Sequence, residues 1–150
     1  MAPSAERPLL SVVIPCFNEA ATILDLLERV RSAPVASKQI IVVDDGSTDG
    51  TRELLQGLQA GDLTVLLHER NRGKGAALAT GFAAARGEIC IVQDADLEYD
   101  PAEYPELIRP IVEERADVVF GSRYIAGKAR DQRLTHRAAN ALLTWFSNLC

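Results

Sequence analysis

Short apolar runs alternate with segments of helical periodicity along this chain, and that alternation is the feature that most limits its fold. Runs over 9–14, 40–43, 63–67, 88–93 and 118–120 are rich in Val, Ile and Leu and read as buried strands. Between the first two, Ile23, Leu24, Leu27 and Val30 recur at helical spacing across 20–30. Further helices are expected over 51–58, capped by Ser47, Thr48 or Asp49, and over 76–86, ended by Gly87 as a residue free to take positive φ. Asp100-Pro101-Ala102-Glu103 has the form of a helix start with a capping box, and Pro105 and Pro110 shorten or bend the helix it begins. Leu134, Ala138, Ala141, Leu142, Trp145, Phe146 and Leu149 trace one face of a last helix.

Strands that alternate with helices imply an α/β fold of three α/β/α layers with a mostly parallel sheet. The βα loops then gather at one sheet edge. That edge collects 15–19, 44–50, 93–98 and 121–123, which hold most of the unusual polar residues. In open α/β sheets, this is where ligands bind.

Bulk properties set the remaining limits. A chain of 150 residues, 47% hydrophobic and 25% charged, describes one soluble domain over 9–150 behind a short tail, 1–8. Its net charge of −5 argues against nucleic-acid binding. The charge is uneven: Arg123, Lys128, Arg130, Arg133 and Arg137 face a single acid, Asp131, in a stretch that could favour an anionic surface. Cys16, Cys90 and Cys150 are odd in number, and Cys16 and Cys90 lie in or beside apolar runs, so reduced structural thiols and a cytoplasmic location are expected. The tail does not read as a signal peptide, and no stretch reaches the roughly 20 apolar residues of a membrane span.

Asp94 and Asp96 leave a buried strand one residue apart, a pattern that suits a hard cation such as Mg²⁺ or Mn²⁺ whose shell is completed by diphosphate oxygens. They could equally be solvated loop acids. Glu98 is a third ligand or a surface residue. Asp44 and Asp45 must point to different sides, so one can meet a base or ribose while the other braces the loop, or both can serve turn formation. Arg123 is placed to face phosphate oxygens, or forms a surface ion pair. The loop Asn71-Arg72-Gly73-Lys74-Gly75 has neither Walker nor dinucleotide spacing, and structural use with some ligand contact is the better reading. His68 and His136 read as ordinary polar residues. The final helix either packs on the sheet, which is favoured, or lies at an anionic membrane interface.

Taken together, Ser11-Val12-Val13-Ile14-Pro15-Cys16-Phe17-Asn18-Glu19, Val42-Val43-Asp44-Asp45-Gly46-Ser47-Thr48-Asp49-Gly50-Thr51, Asn71-Arg72-Gly73-Lys74-Gly75, Gln93-Asp94-Ala95-Asp96-Leu97 and Gly121-Ser122-Arg123-Tyr124 resemble the inverting family 2 glycosyltransferases, in particular the dolichyl- or polyprenyl-phosphate sugar synthases. The resemblance implies a GT-A fold, the Rossmann-like architecture of nucleotide-diphospho-sugar transferases. It implies that Pro15, Phe17 and Glu19 line the nucleoside pocket with Val43 and Asp45 at its base, and that Asp94, Ala95 and Asp96 meet the sugar nucleotide. Asp94 and Asp96 would hold Mg²⁺ or Mn²⁺, with Glu98 as a further ligand in some relatives, and Asp96 and Arg123 would carry the catalysis.

Phe17 stands where tyrosine is frequent, so stacking survives and a hydroxyl contact is lost. The chain resembles a member truncated at Cys150, before the segment that carries a further acid in relatives. The implied reaction moves a sugar from a GDP- or UDP-sugar to a polyprenyl or dolichyl phosphate at the cytoplasmic membrane face, with peripheral contact to anionic lipid. Two other readings remain: a non-catalytic sugar-nucleotide sensor or remnant, and a family 2 transferase acting on a saccharide hydroxyl. A phosphate-accepting receiver module is discounted because its acidic pair follows the first strand. A sugar nucleotidyltransferase is discounted because it needs a glycine-rich basic loop after that strand.

Overall fold

The structure, a computed structural model, describes residues 8–58 and 61–121. Four strands, β1 (Leu10–Cys16), β2 (Lys38–Asp44), β3 (Leu63–Leu67) and β4 (Ile89–Val92), form one parallel sheet in the order β3-β2-β1-β4. The helices between them are α1 (Ile23–Ser32), α2 (Thr51–Gln56) and α3 (Lys74–Ala84). A 3₁₀ turn, Pro101–Glu103, leads into α4 (Tyr104–Val112). All of these elements belong to one compact unit that ends at Val119.

The side-chain alternation of the strands divides the core between two faces. Leu10, Val12 and Ile14 of β1 and Ile40 and Val42 of β2 pack with Leu26, Leu27 and Val30 of α1, Leu55 of α2 and Tyr104 and Ile108 of α4. Val13, Ile41 and Val43 point the other way, against Ala77 of α3. The expected three layers are present. The chain proceeds outward from β1 through β2 to β3, then returns to place β4 on the other flank of β1. This reversal leaves a crevice beyond the carboxyl ends of β1 and β4.

Pro15 does not stop β1, which continues through it to Cys16. Its neighbours explain why. The Cys16 carbonyl accepts from Asp45 N on the β2 side, whereas the Val13 carbonyl accepts from Gln93 N on the β4 side. Pro15, in phase with Val13, turns its missing N–H toward β4 just beyond the last paired residues, Val13 and Val92.

Helix α1 starts three residues later than expected, and it buries Leu26 in place of the expected Leu24, which faces solvent. Helix α2 has Gly50 at its N-cap with φ +99°, and none of Ser47, Thr48 or Asp49 caps it from that position. The stretch 118–120 forms no strand. Three apolar residues make a strand only beside a partner backbone; none of the described strands runs there, and Val118 is exposed. Asp100 accepts from Ala102 N, but it caps the 3₁₀ turn, and α4 begins behind that turn with Pro105 near its start and Pro110 inside. The expected last helix and its basic approach lie outside the described residues.

Helix α3 shows two further departures, both matters of close packing. It ends at Ala85 in extended backbone, and Gly87 does not take positive φ. A Cβ on Gly87 would lie 2.5 Å from Ser11 N, so glycine is needed there because β1 passes so near. The same contact is sealed by polar groups: Gly87 N donates to Ser11 Oγ (2.8 Å), which donates to Gln39 Oε1 (2.9 Å), while Gln39 Nε2 donates to the Ala84 carbonyl (3.2 Å). At Gly81, a Cβ would lie 2.4 Å from Val13 Cγ1 and 3.4 Å from Val43 Cγ2, both on central strands.

Gly81→Ala should therefore destabilise the fold by about 1–3 kcal/mol, because overpacking against a stiff β-branched neighbour outweighs the gain of roughly 1 kcal/mol in helix propensity. Urea unfolding measures the difference, and a stabilised variant would mean that α3 can move off the sheet without cost.

Candidate functional site

The crevice at the β1/β4 reversal is a cleft of about 320 Å³ lined by Pro15, Cys16, Phe17, Glu19, Asp45, Asn71, Gly73, Lys74, Ala77, Asp94, Ala95 and Asp96. Four separate loops supply most of these residues. Seven of the positions singled out in the sequence, Pro15, Phe17, Glu19, Asp45, Asp94, Ala95 and Asp96, come together here. Val43 does not reach the cleft, since its side chain is buried beneath α3 with Val13 and Ile41. Glu98 is exposed and outside the lining. Arg123 and His136 lie outside the described residues.

Asp44 and Asp45 do point to opposite sides, and both brace loops. Asp44, fully buried, accepts from Arg52 Nε (2.8 Å) and from Ser47 N (3.2 Å). Arg52 also donates to the His68 carbonyl. Asp45, 3% exposed, lines the cleft with both oxygens engaged. Oδ1 meets His68 Nδ1 at 2.6 Å and Arg72 N at 3.0 Å, and Oδ2 accepts from Arg72 N (3.1 Å) and Gly73 N (2.7 Å). Burial pushes the Asp45 carboxyl up, but hydrogen bonds from His68, Arg72 N and Gly73 N outweigh it and hold the group below the usual carboxylate range.

His68 is not the ordinary polar residue expected. It is buried, and its other ring nitrogen lies 2.9 Å from Thr80 Oγ1 on α3. An ionised Asp45 requires the proton on Nδ1, so in the neutral ring Nε2 accepts from Thr80. The one signal for this in the sequence is its position immediately after β3.

The loops after β1 and β2 are fastened by side chains. Asn18 N donates to Ser47 Oγ (2.9 Å), Thr48 N to Asn18 Oδ1 (2.8 Å), Glu19 N to Thr51 Oγ1 (2.9 Å) and Ala20 N to Asp49 Oδ2 (3.1 Å). Ser47, expected as a helix cap, is used across the gap, and Asp49 does both, with Oδ2 across the gap and Oδ1 accepting from Thr51 N (3.1 Å) at the start of α2. Asn18 adopts φ +58° to make its part of the contact. The result presents Phe17 at the cleft, 44% exposed, as a flat apolar surface open to a partner ring.

The acidic loop after β4 is held from within. Gln93, buried, donates through Nε2 to the carbonyls of Asp94 (3.1 Å) and Tyr99 (3.3 Å) and accepts from Tyr104 Oη (2.8 Å). Asp96 Oδ1 accepts from Glu98 N (3.0 Å) around Leu97, which sits at φ +62°. Asp94 Oδ1 lies 2.6 Å from Lys74 Nζ, which reaches over from the start of α3. No sequence pattern points to Lys74 as the partner of that acid. Cys16 also lines the cleft, with its thiol pushed up to about 12 by burial and by Asp44, Glu19 and Asp49, so it is no nucleophile at neutral pH. Cys90, expected in an apolar strand, is exposed on β4.

Among the described residues, no three His, Cys, Asp or Glu side chains stand close enough to hold a cation by themselves. Asp94 and Asp96 are nevertheless hard oxygen donors on one cleft, and a cation, the Lys74 ammonium, already rests on one of them. This fits a dication that takes most of its shell from water and a ligand's phosphates.

Residues 11–149 match the sequence profile of glycosyl transferase family 2. The chain is 42% identical over 106 residues to an undecaprenyl-phosphate 4-deoxy-4-formamido-L-arabinose transferase of Aeromonas hydrophila, covering 67% of this chain and 32% of that protein. It is 36% identical over 120 residues to a dolichol-phosphate mannosyltransferase of Pyrococcus furiosus, covering 79% and 34%. The chain thus spans about a third of the length of these relatives. Among solved structures, the fold resembles a mannosyltransferase from Pyrobaculum calidifontis in complex with GDP-Man and Mn²⁺ (TM-score 0.53, 33% identity, 61% of this chain and 28% of that one). It also resembles the glucosyl-3-phosphoglycerate synthase of Mycobacterium tuberculosis in complex with UDP (TM-score 0.58, 32% identity, 70% and 40%).

Asp45→Asn should cost about 1–3 kcal/mol at pH 7, because an amide nitrogen would face the Arg72 or Gly73 N–H. The depressed carboxyl sets the sign of the pH dependence. Its stabilisation is complete above the ordinary Asp value of about 4 and is lost as pH falls through the lower folded value. Urea unfolding from pH 7 to pH 3 should show the gap between wild type and variant closing at the acid end.

Proposed function

The chain belongs to glycosyl transferase family 2, and on that premise we propose that it forms the donor half of a metal-dependent inverting transferase moving a sugar from a GDP- or UDP-sugar to a polyprenyl phosphate. The observation that carries this reading is the convergence of Pro15 and Phe17 at the end of β1 with Asp94 and Asp96 at the end of β4 on one cleft. Phe17 stacks on the base, with Pro15 and Glu19 beside it. Asp45 acts from beneath by holding the Arg72 and Gly73 N–H groups, which fixes the loop that presents Lys74. Asp94 and Asp96 are the residues that would hold a divalent cation, Mg²⁺ or Mn²⁺, which would supply positive charge against the departing diphosphate. Glu98 and Arg123 remain candidates for a further ligand and a diphosphate contact.

In the transfer, an acceptor phosphate oxygen forms a bond to the anomeric carbon from the face opposite the leaving diphosphate. The bond from that carbon to the diphosphate oxygen breaks, and its electron pair leaves with the nucleoside diphosphate. A sugar hydroxyl acceptor would need a base to take its proton. A phosphate monoester, with a second pKa near 6, is already an anion at neutral pH and needs none. Two relatives of this chain are named as polyprenyl-phosphate sugar transferases, which supports this acceptor class. Among the described residues no helix is long and apolar enough to cross a membrane. The reading is of peripheral contact on the cytoplasmic face through the basic stretch 123–137.

Calorimetry with GDP-mannose and UDP-glucose tests the donor site. Binding of at least one should require Mn²⁺ or Mg²⁺ and vanish with EDTA, and Asp96→Ala should weaken it at least ten-fold; undiminished binding removes the cation from the reading. For the acceptor side, replacing Arg130, Arg133 and Arg137 together with Gln should lower partitioning onto anionic liposomes, read by co-sedimentation, by about a hundred-fold, each basic residue at such a surface contributing about 1 kcal/mol. Unchanged sedimentation would leave the membrane contact without support.

A further inference from the structure

Lys74 presents a chemical problem to the cleft it lines. Its Nζ lies 2.6 Å from Asp94 Oδ1, so one of the two acids assigned to a cation is already paired with a positive charge. An ammonium and a dication on one carboxylate weaken each other's hold, because like charges at such range repel. The two therefore compete for Asp94.

The surroundings show which part can move. The main chain at Lys74 is fixed: Gly73 N is held by Asp45, and the Gly73 carbonyl accepts from Ala76 N and Ala77 N in the first turn of α3. The side chain is not fixed in the same way, being 59% exposed on four flexible methylenes with the charge at its tip. Asp94 is held on its main-chain side by Gln93 and is 29% exposed. The ion pair therefore joins two rigid loops through one swinging group.

We propose that Lys74 is a built-in counter-cation for Asp94, drawn off only when a nucleoside diphosphate offers it phosphate oxygens, so that cation and nucleotide bind cooperatively. This rests on the proposed cation site and adds to it a device that offsets the charge of Asp94 when no dication is bound. When Lys74 moves to the diphosphate, the same ligand supplies oxygens to the dication that replaces it. Each ligand then relieves the other of the competition with Lys74. By linkage, the nucleotide raises the affinity for the cation by the same factor as the cation raises the affinity for the nucleotide.

The test is Mn²⁺ titration followed by electron paramagnetic resonance, on wild type, Lys74→Met and Lys74→Arg, without nucleotide and with saturating UDP or GDP. Lys74→Met should bind Mn²⁺ about five-fold tighter than wild type when no nucleotide is present, as expected from losing one exposed competing ion pair. The gain in Mn²⁺ affinity on adding nucleotide should shrink by a similar factor, and Lys74→Arg should keep the wild-type behaviour. Equal or weaker Mn²⁺ binding by nucleotide-free Lys74→Met would overturn the counter-cation role, and if wild type still bound nucleotide in an Mn²⁺-dependent way the cation reading itself would stand. Absence of Mn²⁺ binding to wild type in either condition would overturn both.

Discussion

The buried carboxylate of Asp45 is the point on which the rest of the cleft depends. It sits where β2 ends, accepts from a ring nitrogen and two successive backbone N–H groups, and has no room for solvent to replace them. A charge in such a place is tolerated only because donors surround it. Through His68 it is tied to Thr80 in the middle of α3, and through Arg72 N and Gly73 N to the loop that starts α3. One side chain thereby sets the height of the helix over the sheet and the course of the loop that delivers Lys74.

The sheet makes this possible by letting α3 come unusually close. Gly81 and Ala77 present almost no side chain to Val13 and Val43, and Gly87 lets the chain turn back against Ser11. The order β3-β2-β1-β4 then opens a crevice at the one place where the loops after β1 and β4 diverge. Into it the loops bring an aromatic face at Phe17, a cationic tip at Lys74 and two carboxylates at Asp94 and Asp96. The cleft thus combines a flat apolar surface, an exposed positive charge and hard oxygen donors, the features on which the proposed nucleotide-sugar reading rests.

How much of this is legible in the chain differs from residue to residue. Strand β3 has the limits its composition predicts, because a run bounded by polar turns has few alternative lengths. Strand β1 outruns its expected end at Pro15, since the rule that proline ends a strand holds only where its missing N–H would face a neighbour. Leu24 and Leu26 exchange places, and their helical spacings differ too little for periodicity alone to decide. The run over 118–120 has strand composition, but none of the described strands runs beside it to pair with. Ser47 and Asp49 are hydrogen-bonding turn residues as expected, yet they bond across to the loop after β1, a partner some thirty positions away that no local pattern specifies.

By itself the sequence determined the layered α/β class, the parallel sheet and the gathering of Pro15, Phe17, Glu19, Asp45, Asp94, Ala95 and Asp96 at one edge, because side-chain periodicity and strand order are local properties that the chain carries everywhere. Only the tertiary structure decided that Val43 turns into the core, that His68 is a buried brace, and that Lys74 rests on Asp94. These depend on which atoms meet across separations from about 20 residues, as for Lys74 and Asp94, to more than three times that, as for Gly81 and Val13 or Gly87 and Ser11, where a fraction of an ångström fixes the position of a whole helix. Contacts of that kind have no period and no spacing to read, and they come into being only when the sheet has closed and the loops have been drawn to its edge.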